Sequence, residues 1–150
     1  VTTASNSPVI ISEVMASNTS TLADPQGEFD DWIELHNVTD HDVDLTGRHL
    51  SDEPNNPRKW AFPSGTVIPA NGYLLVWADE DGLATPGLHA SFKLSASGED
   101  VFLTDTDANN NAILDQVSFG EIPTDLSYQR SGDNADVWVV GPPSPGLANP

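Results

Sequence analysis

The sequence contains no cysteine, so disulfides and thiolate metal sites are both excluded and the fold must rest on a packed core and on oxygen ligands. Basic residues are nearly absent. Arg48, Arg58, Lys59, Lys93 and Arg130 face 23 Asp and Glu, a net charge of −18. A nucleic-acid partner is excluded on that balance, because binding to a phosphate backbone depends on Lys and Arg displacing condensed counterions. The same field disfavours anionic membrane surfaces. Three sources of the acidity stay open: adaptation to high salt, a calcium-rich extracellular setting, or a solvated surface.

No apolar run reaches 18 residues, so no membrane-spanning helix is expected. No window keeps an apolar i, i+3, i+4, i+7 stripe for three turns, which removes amphipathic helices. Nucleophile signatures are missing too: there is no Gly-x-Ser-x-Gly and no Gly-rich loop opening a helix. Paired carboxylates can always be picked from 23 acids, but without a cleft that raises one pKa they indicate no glycoside chemistry. The chain is therefore expected not to be an enzyme. Its lead, Val1-Thr2-Thr3-Ala4-Ser5-Asn6-Ser7-Pro8, lacks an initiator Met and a signal segment. Residues 1–8 read as a linker, residues 9–150 as one domain, and the whole as part of a larger parent.

What the sequence does contain is strand periodicity. Short β-branched and aromatic runs at Val9–Met15, Trp32–Asn37, Val43–Leu45, His49–Ser51, Lys59–Phe62, Tyr73–Trp77, Ala90–Lys93, Asp100–Thr104, Ile113–Phe119, Ser127–Arg130 and Val137–Val139 alternate with turns. Twelve Pro and eleven Gly punctuate them, which predicts an all-β sandwich or barrel. Asn71-Gly72 and Ser97-Gly98 each precede a strand, and Asp105–Asn111 joins two apolar segments that should form a hairpin. Alternation in Trp32-Ile33-Glu34-Leu35-His36 sends Ile33 and Leu35 to one face and Glu34 to the other, at a rim or hydrogen-bonded. The Pro-rich end, Gly141 to Gly146, should lie extended over the surface.

Together these stretches resemble the lamin tail domain family. The resemblance is carried by Ile10-Ile11-Ser12-Glu13-Val14-Met15-Ala16-Ser17-Asn18, Asp31–Asn37, Asp44-Leu45-Thr46-Gly47 and Leu50-Ser51-Asp52. It continues through Trp60-Ala61-Phe62-Pro63, Ile68–Ala78, Phe92–Leu103 and Pro145-Gly146-Leu147-Ala148-Asn149. It implies an immunoglobulin-like β-sandwich. The Met-Ala-Ser-Asn and Gly-Glu-Phe-Asp-Asp-Trp versions look like the prokaryotic, extracellular branch, where the domain accompanies other secreted modules. The expected role is a non-catalytic interaction or attachment module of a secreted or cell-surface microbial protein, with a protein or cell-surface component as partner. The alternative is a carbohydrate-binding module, calcium-supported, that targets a linked enzyme to its polysaccharide. The resemblance supplies no catalytic residues.

Calcium is the cofactor the local patterns suggest. Asp105, Asp107 and Asn109, with Asn111 and Asp115, imitate the opening of a calcium loop, but Gln116 stands where a bidentate Glu belongs. A hairpin loop whose Asp and Asn side chains bond their own backbone explains the same pattern. A second group, Asp24, Glu28, Asp30 and Asp31, crowds like charges before the Trp32 strand, which calls for hydrogen bonds or a cation. His36, His41, His49 and His89 lack zinc spacing. Of the tryptophans, Trp60 and Trp77 fit a core, and Trp138 is the candidate for an exposed ligand platform.

Overall fold

A computed structural model describes residues 7–82, 86–131 and 137–149. Residues 1–6 of the expected linker lie outside the described residues. Among the described residues twelve strands follow in order: β1 (Val9–Met15), β2 (Asp31–Asn37), β3 (Val43–Asp44), β4 (His49–Ser51), β5 (Trp60–Ala61), β6 (Val67–Ile68), β7 (Tyr73–Ala78), β8 (His89–Ala90), β9 (Glu99–Thr104), β10 (Ile113–Phe119), β11 (Ser127–Arg130) and β12 (Trp138–Gly141). They form a six-stranded sheet, β12-β11-β1-β2-β7-β8, a four-stranded sheet, β10-β9-β4-β5, and a ribbon, β3-β6. The fold is the expected immunoglobulin-like sandwich. The β9–β10 hairpin forms as read from the sequence.

The longest strands are those richest in β-branched and aromatic residues. Ile11, Val14, Ile33, Leu35, Val76, Leu50, Val101 and Leu103 are fully buried and pack the two sheets together. Each such side chain contributes about 1.5–3 kcal/mol of burial. β1 and β2 are buried on both faces because the outer face of their sheet is covered as well. There Met15, Trp32 and Trp77 form a second cluster, against which Leu22 and Leu75 pack.

Short strands depart from the sequence reading. Val67–Ile68 pairs with Val43–Asp44 although two residues carry too little pattern to register. The expected strand Ala90–Lys93 shortens to His89–Ala90, running parallel to β7, and Lys93 keeps only a bridge to Asp79. Asn71 takes the positive φ of its turn, 57°, while a Cβ on Gly72 would lie 2.9 Å from the Pro69 carbonyl oxygen. Gly98 is needed for both reasons: its φ is 129°, and a Cβ would come within 2.8 Å of the Phe119 carbonyl.

Beyond β12 the chain forms a strap across the outer face of the large sheet. Ser144 N donates to Glu13 Oε2 at 2.8 Å and Gly146 N to Glu34 Oε2 at 2.6 Å. Asn149 Nδ2 donates to the Ser12 and Arg130 carbonyls, each at 2.8 Å. The Pro-rich end thus lies over the surface, held there by buried acids.

Candidate functional site

The acidic loop before β2 gathers three of its four sequence candidates. Oxygens of Asp24, Glu28 and Asp30 lie within 4.8 Å of one another, a spacing suited to one divalent cation or a shared proton. Asp24 organises the loop by accepting the Gln26 and Glu28 amides, each at 2.9 Å. Burial pushes the Asp30 carboxyl up to about 6, helped by its bond to Asp24 and the charges of Asp79, Asp24 and Glu28. Asp31 is not in the group, because strand alternation turns it to the Leu94 amide at 3.3 Å. Its carboxyl rises to about 6 through burial, against the pull of the Leu94 amide and Lys93.

Two residues missed from the sequence complete this corner. Asp24, Asp79 and His89 are all buried and bring ligand atoms within 4.8 Å of one another. His89 Nδ1 meets Asp79 Oδ2 at 2.6 Å and its Nε2 meets the Pro86 carbonyl at 3.1 Å. Both partners are acceptors, so the ring is held as a double donor. Burial opposes the charged ring, yet those bonds outweigh it and the His89 pKa is raised. The sequence gives no signal for this pair, since only the parallel β7–β8 pairing brings them to the acidic loop.

The second candidate loop is tied to itself. Asp105 Oδ1 accepts the Thr106 amide at 2.8 Å and Oδ2 the Asn109 side-chain amide at 3.1 Å. Asn111 Nδ2 donates to Asp107 Oδ1 at 2.8 Å, and Arg58 Nε lies 2.8 Å from the same oxygen. The Asn111 bond and then Arg58 hold the Asp107 carboxyl below its ordinary value. Asn110 and Asn111 take the left-handed conformation the turn needs. Asp115 is elsewhere: it shares the inward face of β10 with Val117 and Phe119. Its Oδ2 accepts from Ile11 N and from Arg130 Nη2, both at 2.8 Å. The irregular register of β1 between Ile11 and Glu13 frees that amide from the ladder.

The other buried acids serve the strap. Glu34 Oε1 accepts the Ser12 hydroxyl at 2.8 Å, and burial pushes its carboxyl up to about 7 despite that bond and the Gly146 amide, with Glu13 adding repulsion. Glu13 is raised in the same way, against bonds from Ser127 and Ser144. A cleft beside them is lined by Leu22, Glu34, Tyr73, Leu75, Pro145 and Gly146. Trp60 and Trp77 are buried as expected. Trp138 is half-buried, not a bare platform. Its ring stacks on Tyr128 at 5.1 Å and carries the Arg130 guanidinium at 4.6 Å, because β12 turns it to the core side.

One flank of the sandwich differs from the rest of this acidic surface. There β12 ends the large sheet beside β11, whose Arg130 pairs across the sandwich with Asp115 of β10. Val137, Val139 and Val140 are exposed along it. β12 carries no charged side chain.

The sequence model of the Lamin Tail Domain family matches residues 2–121, a span that takes in β1 to β10 and leaves β11, β12 and the strap outside. No curated protein matches the sequence.

Proposed function

The chain belongs to the lamin tail domain family, and from that membership and the geometry above we propose that it is a non-catalytic interaction or attachment module of a larger secreted or cell-surface microbial protein. The observation that carries this reading is the uncharged edge at β12, where Val137, Val139 and Val140 are exposed on a chain of net charge −18. Such exposed apolar stretches mark contact surfaces when the rest of the surface is charged. The interior supports the same reading. Asp115 pairs with Arg130, His89 with Asp79, and Glu13 and Glu34 with the strap, so each of these buried groups has a folding partner.

The partner in this reading is a protein or cell-surface component and not a nucleic acid. Carbohydrate binding draws less support, because Trp138 already lies against Tyr128 and Arg130. Calcium, as a structural support of the module, falls to Asp24, Glu28 and Asp30. The test is retention of a fluorescent fusion of residues 1–150 on intact microbial cells and washed wall fractions. Retention above the reporter alone, lost when the cells are treated with protease, is expected. Wash-off with the reporter refutes attachment, and release by soluble polysaccharide favours the carbohydrate alternative.

A further inference from the structure

The bonding register of β12 fixes which of its backbone groups face outward. Ser131 N donates to the Val137 carbonyl at 2.7 Å, and Gln129 and Ser127 stand opposite Val139 and Gly141. Hydrogen-bonded pairs alternate along an antiparallel ladder, so Val137, Val139 and Gly141 bond toward β11. Trp138 and Val140 therefore turn their N–H and C=O groups away from the sheet. Among the described residues no backbone group bonds them from the far side.

Sheet edges are ordinarily guarded by lysine, proline, a bulge or an inward charge. Val137 to Gly141 has none of these, and Val137, Val139 and Val140 are 57%, 42% and 44% exposed. In the sequence Asp136 precedes this stretch and Pro142 and Pro143 follow it, so the guards stand at its two ends. Val139 projects on the outer face beside Gln129, and Val140 on the side of Tyr128. An incoming strand would thus find two outward peptide units and an apolar side chain on each face.

We propose that β12 accepts one extended segment of a partner polypeptide, apolar at the positions beside Val139 and Val140 and carrying Lys or Arg in its flanks. The inference rests on the attachment reading and names the partner for it. Main-chain hydrogen bonds supply the affinity of such strand addition, and the side-chain positions supply the selectivity. The cationic flanks follow from charge: a chain of −18 attracts a basic segment and repels a second copy of itself.

The test uses the whole 150-residue chain, 15N-labelled, and a synthetic decapeptide alternating Val and Lys, with a Val/Glu peptide for comparison. The Val/Lys peptide should shift the Trp138 and Val140 amides and slow their hydrogen exchange, and the Val/Glu peptide should not. Val140→Pro removes one outward donor and leaves the bonds to β11 in place, so it should weaken binding by about fivefold to tenfold at an unchanged melting temperature. Should that variant melt early, Val140→Lys serves, with the preference moving toward the Val/Glu peptide. The proposal is overturned if shifts appear only at the acidic loops, if Val140→Pro binds equally well, or if the chain dimerises through β12. Those outcomes leave attachment standing as long as the reporter fusion still stays on cells; loss of retention ends both.

Discussion

Replacing Glu34 by Gln should make the protein more stable at pH 8 than the parent and flatten its pH dependence. Glu34 is 1% exposed, lies beneath Gly146, and stands opposite Glu13 in the sheet. Its carboxyl rises from 4.5 to about 7 because burial penalises the charge more than Ser12 and the Gly146 amide stabilise it. The folded-state pKa is the higher one, so the stabilising contribution is complete below pH 4.5 and is lost as pH climbs through 7. A rise of that size corresponds to about 3 kcal/mol, absent from the parent at pH 8 and retained by an uncharged side chain. Gln keeps a carbonyl oxygen for Gly146, and its amide can donate to the Ser12 hydroxyl. Urea unfolding between pH 4.5 and 8.5, followed by tryptophan fluorescence, measures the effect. Parallel curves for parent and variant, or a variant less stable at pH 8, would show that burying the Glu34 charge costs the fold nothing.

Asp115→Ala should cost roughly 3–5 kcal/mol, since it leaves the Arg130 guanidinium buried without its carboxylate; a loss under about 1 kcal/mol in urea unfolding would contradict the pairing. Gly98→Ala should lower stability by more than about 1 kcal/mol, given its positive φ and the close Phe119 carbonyl, and an unchanged melting temperature would show that the turn relaxes freely. For chelator-treated protein at pH 7.5, millimolar calcium should raise the melting temperature, Glu28→Gln should abolish the rise, and Asp107→Ala should leave it; identical melts with and without the ion remove calcium from the account.

Legibility in the sequence followed the length and periodicity of each segment. β1, β2, β7, β9 and β10 carry six or seven residues of β-branched and aromatic pattern, and alternation alone placed Ile33 and Leu35 in the core. Two-residue strands such as Val67–Ile68 exist only because tertiary pairing holds them. The site divided in the same way. Asp24, Glu28 and Asp30 are neighbours in sequence and stay together, whereas Asp79 and His89 arrive through a parallel pairing that no local pattern announces. Asp115 carries two conflicting signals: its alternation with Val117 and Phe119 puts it in the core, as the structure has it, while its nearness to Asp107 suggests a loop ligand. The Glu34 bond to Gly146 crosses 112 residues. Only the need of a buried carboxylate for partners hinted at it.

That this module attaches and does not convert is tested most directly in the larger protein proposed to carry it, by deleting residues 1–150. The fraction of that protein held on cells should fall to background, while any turnover of a soluble substrate by what remains should be unchanged. Loss of turnover with retention intact would contradict that reading.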